Sequence, residues 1–120
     1  EMSTISSVYH NRLNKKMLLQ ADPTIQYIVP GKNRRLYNKH LKIDSPYNTY
    51  KYKGLPPGPI NNPGLSALKA ATNPSKTNYL YFVADGEGRH IFTLNNKQHN
   101  EAKKILAKKL IEIKRKRKRK

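Results

Sequence analysis

The run Gly54-Leu55-Pro56-Pro57-Gly58-Pro59-Ile60 lies near the middle of a 120-residue chain and constrains it more than any other segment. Each proline fixes its own φ and removes a backbone donor, so neither a regular helix nor a central strand can pass through it. The surrounding stretch from Asp44 to Pro63 is also rich in Pro, Gly, Tyr and Asn. A chain of this length forms one domain, and with 36% hydrophobic residues, no Trp and two Phe its core is modest. The regular structure must therefore sit on either side of a rigid, irregular middle.

On the N-terminal side, Ser3 to Asn14 has the spacing of a helix, with Ile5, Val8, Tyr9, Arg12 and Leu13 on one face. Ser3 or Thr4 suits its N-cap, and Lys15 and Lys16 suit the negative end of its dipole. Asp22-Pro23 predicts a second start, with Asp as N-cap and Pro at the first helical position, stopped by Pro30-Gly31. Residues 31–40 read as a loop, with a helical turn near Asn38 to Ile43. On the C-terminal side, Asn62-Pro63 repeats the cap pattern and Leu65, Leu68 and Ala71 mark a buried stripe. Tyr79 to Val83 and His90 to Leu94 are strands joined by an Asp85-Gly86-Glu87-Gly88 turn. Asn96 opens a long helix with Ala102, Ile105, Leu106, Lys109 and Leu110 on one face, dissolving into a tail after Ile113. The expected class is α+β: short helices around a small antiparallel hairpin, with a C-terminal helix and basic tail.

The net charge is +18, from 25 basic and 7 acidic residues. Residues 101–120 hold 11 basic and 2 acidic residues, a net of +9, which is half the excess. A block of like charges is predicted to stay solvated and binds nucleic acid non-specifically. Elsewhere Lys accompanies Asn, Ile and Tyr, all with A/T-rich codons, so genome composition accounts for part of the basicity. The absence of Cys excludes disulfides and thiolate chemistry. No run of about 18 apolar residues exists to span a membrane.

The histidines at 10, 40, 90 and 99 are too scattered for a metal site, and no phosphate loop or nucleophile elbow is present. Asp22 has a plain use as a helix cap, and Asp85 and Glu87 as turn residues, so no carboxylate stands out as a general acid. The Asp44 to Ile60 segment displays Tyr rings with amide and hydroxyl groups, which suits sugar faces and acetamido groups. It reads equally well as a packed surface loop.

Seven runs, in order, resemble the YceG-like family of endolytic lytic transglycosylases, which cut the glycan strands of bacterial peptidoglycan. They are Val8-Tyr9-His10-Asn11-Arg12-Leu13, Leu19-Gln20-Ala21-Asp22-Pro23-Thr24, Ser45-Pro46-Tyr47-Asn48-Thr49-Tyr50, Gly54 to Ile60, Asn62-Pro63-Gly64, Ala70-Ala71 with Asn73-Pro74, and Tyr79 to Gly86. His90 and Phe92 fit as well, and the likeness runs to about residue 100, leaving 101–120 as a separate helix and tail.

The resemblance implies a mechanism with one catalytic Glu, acid and then base, while the C6 hydroxyl of muramic acid closes an anhydro ring. In the family that Glu precedes the segment matching Glu1, so the chain is expected to contain no catalytic residue and to be inactive alone, as part of a longer, truncated or split protein. Gln20, Asp22, Tyr47, Asn48 and Thr49 are the implied glycan contacts or orienters of the missing Glu, with Asn11, Arg12, Tyr50 and His90 behind them. For Asp22 and Thr24 the alternative is local capping. The resemblance implies no metal and no cofactor. It places peptidoglycan strands and the cell-wall synthesis machinery as partners, at the periplasmic face of the inner membrane. A basic protein binding nucleic acid or an anionic surface through its tail is the competing class.

Overall fold

A computed structural model describes residues 1–31 and 35–119, with side chains through Arg117; part of the loop expected over residues 31–40 lies outside the described residues. The elements run α1 (Met2–Asn14), α2 (Asp22–Ile28), a 3₁₀ turn (His40–Lys42), α3 (Leu65–Thr72), β1 (Tyr81–Ala84), β2 (His90–Thr93) and α4 (Asn96–Arg119). The expected α+β order holds. The chain divides into two compact units, Glu1–Asn11 with Asn73–Lys120, and Arg12–Thr72.

In the first unit, α1 starts one residue before the expected position. The Glu1 carbonyl accepts from the N–H groups of Thr4 and Ile5, each at 3.0 Å, so Ser3 and Thr4 lie inside the helix rather than at its cap. The Ser3 hydroxyl instead meets that of Ser75 at 2.9 Å. The hairpin pairs Tyr81 with Thr93 through to Ala84 with His90. Tyr9, Phe82, Phe92 and Tyr79 form its aromatic core, with neighbouring ring centroids 5.6–6.2 Å apart.

The hairpin turn needs glycine at Gly86 and Gly88, whose φ angles are +82° and +88°. At Gly86 the α4 side chain of Leu106 comes so close that a Cβ would stand 3.3 Å from its Cδ1. Asp85 closes the turn by accepting from the N–H groups of Glu87 at 2.7 Å and Arg89 at 3.1 Å. Lys109 of α4 pairs with Glu87 at 2.6 Å.

Two expectations for α4 change. Ala102 is buried and Leu106 and Lys109 are half-buried, but Ile105 is 61% exposed and Leu110 is also outward. The short hairpin covers only one strip of the helix. The helix also continues through the basic run to Arg119 rather than dissolving after Ile113. Lys and Arg are good helix formers, and cations suit the negative end of the helix dipole. At its other end, Asn95 Oδ1 accepts the Gln98 N–H and Gln98 Oε1 accepts the Leu94 N–H, capping the first turn.

The second unit opens where α1 stops. The Met17 N–H bonds to the Arg12 carbonyl at 2.9 Å and the Lys16 N–H to Leu13 at 3.1 Å, with Lys16 at φ +57°. This is a Schellman ending with lysine in the left-handed position that glycine usually takes. Leu19, Ile25 and Val29 form a small core beside α2. The 3₁₀ turn falls within the helical turn expected over 38–43. Residues 44–64 contain no helix or strand, as the prolines require.

The α3 helix differs from expectation twice. It begins at Leu65, with Gly64 accepting the Leu68 N–H, so Asn62-Pro63 is not its cap. Its predicted buried stripe faces outward, with Leu65 68% and Leu68 50% exposed. The side chains that turn partly inward are the small Ala67 and Ala70.

Candidate functional site

The second unit joins two of the sequence runs. The loop from Lys15 to Ala21 lies against Thr49: Gln20 N–H donates to the Thr49 carbonyl at 3.1 Å, and Ala21 N–H to its hydroxyl at 2.9 Å. The Thr24 hydroxyl lies 2.7 Å from the Ala21 carbonyl and 2.9 Å from Thr49 Oγ1. Each hydroxyl has one proton. Thr24 donates to the carbonyl, so Thr49 donates to Thr24 and accepts from Ala21. The result is a closed ring of hydrogen bonds with every polar atom paired, as burial demands.

Asn48 does the same work one residue earlier. It is fully buried, and its amide donates to the carbonyls of Leu41 at 3.0 Å and Ile43 at 2.7 Å. Its Oδ1 accepts the Tyr50 N–H at 2.9 Å, so the amide group spends both protons and its acceptor on backbone. The buried Arg12 guanidinium donates to the Leu18 carbonyl at 2.8 Å, fixing the start of the facing loop.

Three groups are displayed on this frame. Gln20 is exposed and held at φ +49°, a left-handed conformation that costs a non-glycine residue about 1 kcal/mol. The Tyr50 hydroxyl donates to the exposed Asp22 carboxylate. Asp22 is thereby not a helix cap: Ala21 holds the cap position of α2, Pro23 fills the first turn, and no side chain caps the helix. Tyr27 and Tyr47 form an aromatic pair with ring centroids 4.9 Å apart, Tyr27 being 52% exposed. Gly58 makes room for Tyr47, since a Cβ there would stand 3.2 Å from its hydroxyl. Sequence reasoning missed Tyr27, whose partner Tyr47 lies 20 residues away and leaves no local signal.

The first unit holds the other two candidates. Asn11 donates to the carbonyls of Thr77 at 2.8 Å and Tyr79 at 2.9 Å, bracing the chain entering β1. The His90 ring meets the Glu1 carboxylate and lies edge-on to Phe82.

Among the seven carboxylates none is buried. Asp44 accepts from the Tyr52 hydroxyl and lies 3.7 Å from Lys51, which together hold it below the usual carboxylate range and push the Tyr52 phenol up. Asp85 is likewise lowered, first by the Glu87 N–H. A general acid needs the opposite shift. The arrangement can therefore offer hydrogen bonds and aromatic faces to a hydroxyl-rich ligand, with no carboxyl among the described residues set up to protonate it.

The YceG-like family model matches residues 1–105. The chain belongs to the YceG-like family. It is 54% identical over 99 residues to an endolytic murein transglycosylase of Bacillus subtilis, a match covering 82% of this chain and 28% of that protein. It is 39% identical over 102 residues to an endolytic murein transglycosylase of Streptococcus pneumoniae, covering 81% of this chain and 18% of that one. A crystal structure of a yceG-like protein from Listeria monocytogenes superposes with a TM-score of 0.77 at 46% identity, over 82% of this chain and 32% of that one. The chain thus spans under a third of the length of each.

Proposed function

We propose that this chain is the glycan-lining part of an endolytic lytic transglycosylase that acts on peptidoglycan. The observation that carries the reading is the joining of Gln20 to Thr24 with Tyr47 to Tyr50, which displays Gln20, the Asp22–Tyr50 pair and the Tyr27–Tyr47 pair. Tyrosine faces suit the C–H surfaces of N-acetylated sugars, and the amide, carboxylate and phenol suit their hydroxyl and acetamido groups. Asn48, Thr49 and Arg12 act as positioning residues beneath that surface, and Asn11 and His90 support the hairpin unit.

The chemical step needs a carboxylic acid that protonates the glycosidic oxygen. The same group, now a carboxylate, takes the proton of the muramic C6 hydroxyl as that oxygen closes the 1,6-anhydro ring. None of the seven carboxylates is buried and none suits the first task, so the acid is supplied from outside these 120 residues and the chain alone does not cleave. The whole enzyme works without a cofactor at the periplasmic face of the inner membrane, alongside the cell-wall synthesis machinery.

The test is co-sedimentation of the purified chain with peptidoglycan sacculi, followed by analysis of released muropeptides. Binding that weakens about tenfold in Tyr27→Ala/Tyr47→Ala, with no anhydro-muropeptide released, supports the reading. Release of anhydro ends by the 120-residue chain overturns the missing acid. Unchanged binding in the double variant overturns the glycan surface.

A further inference from the structure

The family match ends at residue 105, yet α4 continues to Arg119, so its distal half is not absorbed by the glycan-lining role. From Leu106 to Arg117 it carries six basic residues and one acidic residue, a net of +5. Leu106, Leu110 and Ile113 fall at i, i+4 and i+7, one narrow arc that continues the strip buried by Ala102. Beyond the hairpin that arc opens: Leu110 is 46% exposed, and Ile113, one turn on, is half-buried. Lys104, Lys108 and Arg115 share the opposite face, and all three are exposed. Lys114 to Arg117 then surround the helix with charge. Among the described residues no helix is long and apolar enough to cross a membrane.

We propose that the distal half of α4 docks on an anionic lipid bilayer. The occupant follows from two features side by side, a short apolar arc and a polybasic cluster. Either alone binds a bilayer weakly, and the two together give a stable interfacial anchor. Leu110 and Ile113 enter the boundary of the acyl chains while the flanking Lys side chains reach back to the phosphates. Charge by itself would serve a nucleic acid and would leave the arc of Leu110 and Ile113 without a role.

The test is sedimentation of the full chain with vesicles of phosphatidylglycerol and phosphatidylcholine in equal parts, against phosphatidylcholine alone. The chain is expected to partition onto the anionic vesicles about a hundredfold more strongly. Replacing Lys114, Arg115, Lys116 and Arg117 by Gln should abolish most of that preference. Leu110→Gln/Ile113→Gln should weaken partition about tenfold while leaving duplex DNA binding and helical circular dichroism unchanged. Leu110→Ala/Ile113→Ala, which favours helix, should fall between. Equal partition onto the two vesicle types overturns the proposal, as does a Gln pair that behaves like the parent. Release of vesicle-bound chain by an equimolar amount of duplex DNA overturns it in favour of a nucleic-acid partner.

Discussion

The loop around Asn48 and the distal half of α4 invert the usual association of regularity with rigidity. The loop has no helix or strand, yet Asn48 and Thr49 are 0% and 2% exposed and their polar side-chain atoms are paired. The helix has continuous regular backbone, yet its Leu110, Ile111 and basic side chains face outward. Stability belongs to the buried, satisfied groups, so the irregular segment should be the stiff one and the helix end the dispensable one.

The largest test of that contrast is Asn48→Ala. It strands two buried carbonyls and one N–H, and should destabilise the chain by about 3 kcal/mol in urea unfolding. A cost below about 1 kcal/mol would break the comparison. Thr49→Val should cost about 2 kcal/mol by leaving the Ala21 N–H unpaired, while Thr49→Ser, which keeps the ring, should cost clearly less by the same measurement. Lys16→Gly removes the left-handed strain at the end of α1 and should stabilise by about 1 kcal/mol, read as a rise in thermal midpoint. On the helix side, Leu110→Gln/Ile111→Gln should change unfolding stability by no more than about 0.5 kcal/mol. The smallest effect is expected from two acids near the surface. Asp44 and Asp85 are lowered in the folded state, so their contribution is present above the ordinary value of 3.8 and is lost as pH falls through the folded values. Asp44→Asn/Asp85→Asn should therefore lower stability slightly at pH 7, and the difference from the parent should vanish as pH falls through the folded values.

The α+β order, the hairpin and the irregular middle were legible because prolines, alternating aromatics and helical spacing act locally. The misses arose where a local pattern has two outcomes. Leu65, Leu68 and Ala71 define a stripe whether or not anything covers it, and α3 turns it outward. Asp22-Pro23 starts a helix equally well with Asp as cap or one residue inside, and the second choice frees Asp22 for Tyr50. The run from Lys114 suggested a solvated coil through repulsion, but helix propensity and the dipole carried it on to Arg119. At the site, residue type marked Asn48 and Thr49 as polar and interesting. Only the long-range partners, 28 residues away for Ala21 and Thr49, reveal that their polarity is turned inward.

The Ala21–Thr49–Thr24 ring has a direction. An N–H only donates and a carbonyl only accepts, so the short bonds run from the Ala21 N–H through Thr49 and Thr24 to the Ala21 carbonyl, and reversal leaves Thr49 the longer 3.4 Å bond to that carbonyl. The two protons are thus clocks for the opening of this loop. Shielded from water, they exchange with solvent only when the strands of the loop part, and their proton resonances report that event without disturbing the tyrosines above.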